Sequence, residues 1–186
     1  MKKIVTVLSI LTISLGLFAN PSLASEGSTS GNAEVTGGQL SIEVPNATTF
    51  AGVTLDGTVQ TTTASLDSLK IVDPTGTGAG WNVQVSASPI QKDDGTHTLP
   101  KESLNLAAPS SVIAGTGSSS AEYVTPKGGS LDVPVNVLSA AVDEGKGTFT
   151  AAFPTDALSL TLSPDTALAG QYETMFSWNL TAGPTQ

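Results

Sequence analysis

The sequence contains no cysteine and no arginine, and its only histidine is His97. Aromatic residues are also scarce, with five Phe, two Tyr and two Trp. Without cysteine no disulfide can form, so stability must come from core burial and sheet hydrogen bonding. Without arginine, and with only seven lysines against 16 acidic residues, the clustered positive charge that phosphate contact requires is missing. Nucleic acid is therefore excluded as a partner, and so is electrostatic attraction to an anionic membrane surface. A catalytic triad built on His97 would need a nucleophile and an orienting acid, and nothing in the sequence identifies either. Long apolar runs are missing too, apart from one at the start of the chain.

That first run reads as a secretory signal. Lys2 and Lys3 supply a positive start, residues 4–18 are apolar apart from small polar residues, and Ser22-Leu23-Ala24 places small side chains where a signal peptidase reads them. The pattern predicts a cleaved signal peptide over residues 1–24, cut after Ala24. An uncleaved anchor is the alternative, but the run is short for a membrane span of about 20 residues. Removing Lys2 and Lys3 takes the formal charge from −9 to −11, because residues 1–24 hold no acid. No membrane span is expected in the mature chain. Its length of about 160 residues suffices for one domain that buries close to 70% of its unfolded surface.

Residues 25–38 are rich in Ser, Gly and Thr and read as a flexible lead-in. Beyond them, residues 39–186 divide into short runs of alternating apolar and polar residues. These include Leu40, Ile42 and Val44; Leu69 and Ile71; Trp81, Val83 and Val85; Leu131, Val133, Val135 and Val137; Phe149, Ala151 and Phe153; Leu158, Leu160 and Leu162; and Tyr172, Thr174, Phe176, Trp178 and Leu180. A period of two marks strands with one buried face. Many such strands separated by Gly, Pro, Asp and Asn predict an all-β fold, a single β-sandwich of jelly-roll-like or immunoglobulin-like form. Pro134 predicts an edge position for its strand. Asp143-Glu144-Gly145-Lys146-Gly147 reads as a hairpin turn, and residues 107–121 as a long loop. No amphipathic helix is evident.

The two Trp each stand inside such a run, in Gly80-Trp81-Asn82-Val83-Gln84-Val85-Ser86 and in Phe176-Ser177-Trp178-Asn179-Leu180-Thr181. Residues two apart share a strand face, so Trp81 lies beside Val83 and Trp178 beside Leu180. Each pair forms an apolar platform with an indole N–H as its polar handle. Such a platform serves equally as core or as a ligand surface. With Trp178-Asn179-Leu180 literal and Trp81-Asn82-Val83 a near match, followed by Thr181-Ala182-Gly183-Pro184, the chain resembles the WxL domain family of Gram-positive surface proteins. The resemblance spans nearly all of the mature chain. It implies a secreted, wall-associated protein bound non-covalently to peptidoglycan. It also implies assembly with other WxL or WxL-interacting surface proteins, and it makes Trp81, Val83, Trp178 and Leu180 the binding candidates.

Other signals are weaker. Leu99-Pro100-Lys101-Glu102-Ser103 resembles a sortase signal, but it lies mid-chain with no apolar segment and basic tail after it, so covalent anchoring is not expected. Asp93, Asp94 and His97 fall in a polar turn whose spacing matches no metal loop, and His97 reads as a solvated loop residue. No metal, cofactor or catalytic activity is expected. Lys70 alternates to the solvent side, which argues against a buried Lys–Asn cross-link. The competing reading is an adhesive or structural subunit that pairs an exposed edge strand with protein or host-matrix partners.

Overall fold

The computed structural model describes residues 28–183. The predicted signal peptide and its cleavage position at Ala24 lie outside the described residues. Residues 28–38 form no regular element and are exposed. Residues from Val35 onward gather into one compact unit, and the Gly38 N–H donates to the Pro74 carbonyl at 2.9 Å.

Among the described residues fourteen strands build this unit: β1 (Ser41–Glu43), β2 (Gln60–Ala64), β3 (Leu69–Asp73), β4 (Trp81–Ala87), β5 (Gln91–Lys92), β6 (Leu104–Leu106), β7 (Ser111–Ala114), β8 (Val124–Pro126), β9 (Gly129–Ser130), β10 (Val135–Ala140), β11 (Gly147–Ala152), β12 (Leu158–Leu162), β13 (Tyr172–Glu173) and β14 (Phe176–Ala182). They form three four-stranded sheets. Sheet I runs β1-β3-β11-β7, sheet II runs β14-β4-β10-β8 and sheet III runs β2-β12-β6-β9, with β13 and β5 as a separate two-stranded ribbon. Every pairing is antiparallel. The only helical pieces among the described residues are two 3-10 turns, Lys101–Ser103 and Ala121–Tyr123. The fold is an all-β sandwich.

The alternation of the sequence supplies the core directly. Leu69 and Ile71 of β3, Phe149 and Ala151 of β11, Val83 and Val85 of β4, and Leu158 and Leu160 of β12 all turn inward into one buried cluster. Sheets I and II meet where the Trp81 and Phe149 rings pack at 5.9 Å between centroids. Lys70, between Leu69 and Ile71, faces outward as its alternation predicts and pairs with Glu43 on β1 at 2.8 Å.

Four local expectations differ from what is found. β10 is an interior strand between β4 and β8; Pro134 lies in the turn just before it, where no ladder N–H is needed. Residues 143–147 do not close a hairpin. They carry the chain from β10 in sheet II to β11 in sheet I, with Asp143, Gly145 and Gly147 all at positive φ. Residues 107–121 are not all loop, because Ser111–Ala114 pairs with β11 at the edge of sheet I. The last alternating run splits into β13 and β14, since Ser88 and Pro89 turn the partner chain between β4 and β5. There the Thr174 hydroxyl donates to the Ser88 carbonyl, and the Met175 N–H donates to Ser88 Oγ.

Candidate functional site

The two Trp-bearing segments are neighbours. β4 and β14 pair along their full seven residues, placing Trp178 opposite Val85, Leu180 opposite Val83 and Ala182 opposite Trp81. Cross-strand partners share a face, so all four candidate residues lie on the inward face of sheet II. A 93-residue gap in sequence between Val85 and Trp178 thus closes into a single cross-strand pair.

Depth divides the four. Trp81 and Val83 are 0% exposed. The Trp81 indole N–H donates to the Gly145 carbonyl at 2.8 Å, so the turn between sheets II and I caps the ring. A Cβ at Gly145 would stand 2.5 Å from Trp81 Nε1 and press on Ala140 as well. Trp81 therefore joins two sheets from the inside, and Val83 fills the space beside it. Neither side chain presents a surface. Trp178 and Leu180, on the edge strand, are only partly buried. The Trp178 ring meets the edge of Phe153 at 6.4 Å and 69°. These two residues are the accessible half of the motif pair.

β14 ends sheet II. Among the described residues no strand pairs its other edge, and Met175 at its start is 72% exposed. The N-terminal end of the strand also borders a groove of about 1070 Å³, which Phe50, Val53, Leu162, Tyr172 and Phe176 line together with Thr62. The groove lies between the segment from Ala47 to Leu55 and the one from Ala167 to Thr174.

The remaining polar signals are structural. His97 is half-buried rather than solvated: its Nε2–H donates to the Thr166 carbonyl and its ring stands edge-on to Tyr172. Alternation alone could not show this, because Thr166 lies far along the chain. In the same turn Asp94 accepts from Lys92 at 2.6 Å and from the Thr96 hydroxyl and N–H. Its carboxyl is held well below the usual carboxylate range, chiefly by the Lys92 bond. Asp94 thus serves turn chemistry. Among the described residues no three His, Asp or Glu side chains gather into a metal-holding group. Leu99 of the sortase-like stretch is buried in the core at 2% exposure.

Gly145 and Phe153 were not singled out by sequence as partners of the two Trp. Phe153 was already legible as an inward residue by alternation with Phe149. The contact of Gly145 with Trp81 has no local signal, since it spans 64 residues. No helix among the described residues is long and apolar enough to cross a membrane. No curated protein and no solved structure matches the chain. A family model does: the one for WxL domain surface cell wall-binding proteins, over residues 19–184.

Proposed function

The chain belongs to the WxL domain surface cell wall-binding family, and from that premise we propose that it attaches non-covalently to peptidoglycan and performs no catalysis. Family membership places it among wall-associated surface proteins. The match over nearly the whole chain is the observation that carries the reading, and the joined motif strands support it. We assign the four candidates unequal parts. Trp81 and Val83 set the geometry of sheet II from within. Trp178 and Leu180 stand at its edge, where an indole can stack on a sugar ring or an apolar peptide group.

Sedimentation with isolated peptidoglycan tests the assignment. The unaltered mature protein is expected in the pellet. Trp178→Ala, partly buried and on an edge strand, is expected to keep its fold by circular dichroism and to lose most of its pelleting. Should a folded Trp178→Ala pellet as well as the unaltered chain, the contact role of the second motif is wrong.

One observation favours a second reading, an adhesive or structural subunit of a surface complex. The unpaired edge of β14 offers seven residues of backbone to an incoming strand. Assembly of that kind requires a protein partner, whereas wall binding proceeds with purified protein and sacculi alone.

A further inference from the structure

The charge of this molecule is unevenly placed. Of 16 acidic residues, none lies in any strand of sheets II or III, and neither does any lysine. Sheet I, by contrast, carries Glu43, Lys70 and Asp73 on its strands. The outward face of sheet II is also different in kind from that of sheet III. Sheet III turns mostly hydroxyls outward, such as Thr61, Thr63 and Ser159. Sheet II turns amides outward. The register aligns Asn136, Gln84 and Asn179 in one row across β10, β4 and β14, and Ser139, Asn82 and Thr181 in the next.

Asn82 and Asn179 are the middle residues of the two motifs, and alternation puts them on the side opposite the indoles. Asn82 is 8% exposed, and its amide is already committed to the Gly183 carbonyl at 3.1 Å. Gln84 and Asn179 are exposed at the centre and edge of the platform. At the inner end of the row, Asn136 Oδ1 is covered and has no hydrogen-bond partner. The Asn179 amide donates to Thr181 Oγ1 at 3.4 Å, which leaves the exposed Gln84 amide and the Asn179 carbonyl oxygen as the groups of the row that face solvent.

We infer that the outward amide face of sheet II is a docking surface for a neutral polysaccharide bearing hydroxyl and acetamido groups. The inference rests on the wall-binding reading above and adds to the Trp178 and Leu180 contact a second one on the opposite face of the same sheet, naming its polymer. Each primary amide donates two hydrogen bonds and accepts through its carbonyl, which matches ligand groups that themselves both donate and accept. The strands of this face carry no cation, exposed Lys127 standing just past the end of β8, and the net charge of the chain repels a polyanionic wall polymer. A neutral glycan meets no such penalty. Strands spaced about 4.8 Å apart offer an extended chain repeated contacts across the sheet.

The experiment compares three proteins on sacculi stripped of anionic polymers. Gln84→Ala/Asn179→Ala removes the two exposed amides of the row, and Thr61→Ala/Thr63→Ala makes the matching change on sheet III. The sheet II double variant is expected to bind about tenfold more weakly, the loss of a few net hydrogen bonds, while the sheet III variant binds like the unaltered chain. Neutral β-1,4-linked N-acetylglucosamine oligosaccharides are expected to compete. A sheet II variant with native circular dichroism and undiminished binding would overturn the inference while leaving wall attachment intact. So would competition by stem peptides but not by glycan. If the unaltered protein fails to bind the stripped sacculi, the wall-binding reading itself falls and takes the inference with it.

Discussion

Gly145 shows how one residue without a side chain sets the position of the largest one. Its φ of 71° lies where glycine alone is comfortable, its carbonyl accepts from Trp81, and its Cα leaves no room for a methyl group. Gly145→Ala must therefore bear both backbone strain and displacement of a fully buried indole, together about 2–4 kcal/mol. The melting temperature should fall by roughly 5–15 °C. Gly57 is the control: its φ is 85°, but nothing lies within 4 Å of an added Cβ. Gly57→Ala should cost only the strain, about 1 kcal/mol. Thermal denaturation of the two variants side by side decides the matter, and equal melting temperatures would refute the capping role.

At the scale of the element, β14 completes sheet II by covering one side of β4. A chain stopped after Glu173 would leave Val83 and Val85 on an uncapped edge strand, with Trp81 losing its neighbour Ala182. Bare apolar edges recruit other chains. The truncated protein is expected to bind an apolar dye and to aggregate at concentrations where the full chain stays monodisperse. Dye fluorescence and light scattering measure both; a soluble, dye-silent truncation would show that β14 is dispensable to the sheet. Elements of this sort were the most legible part of the sequence. Runs such as Leu69 to Ile71 and Trp81 to Val85 alternate cleanly because one face is buried. β2, with its Gln60-Thr61-Thr62-Thr63-Ala64 sequence, gave no such signal, since its inward Thr62 is a polar residue tied to the Ala51 carbonyl. Pairing was not legible at all. Alternation fixes which side of a strand faces inward and says nothing of its neighbour, so the sheet change at residues 143–147 passed for a hairpin. For the same reason the motif residues could be named while their unequal burial could not: depth depends on which strand lies at the edge.

The whole molecule is governed by excess negative charge held on few supports. Across the sequence seven lysines face 16 acids. Three of those lysines, Lys70, Lys92 and Lys146, already pair with acids at the surface. Exposed pairs contribute at most about 1 kcal/mol each, while self-repulsion of the remaining acids acts over the whole body. Salt at about 0.15 M shortens the range of both to roughly 8 Å, and repulsion is the larger sum. The melting temperature should therefore rise from low salt to that concentration in calorimetry. A fall would mean that the three ion pairs outweigh the repulsion.

The β4–β14 pairing also governs time. An amide on β4 reaches a carbonyl 101 residues further along the chain, so sheet II cannot finish until the last described strand has been synthesised and found its place. Loop closure over such a span is costly before any contact repays it, and sheets built from distant segments form slowly, in milliseconds to seconds. Until that moment the first motif waits on an unfinished sheet for the second.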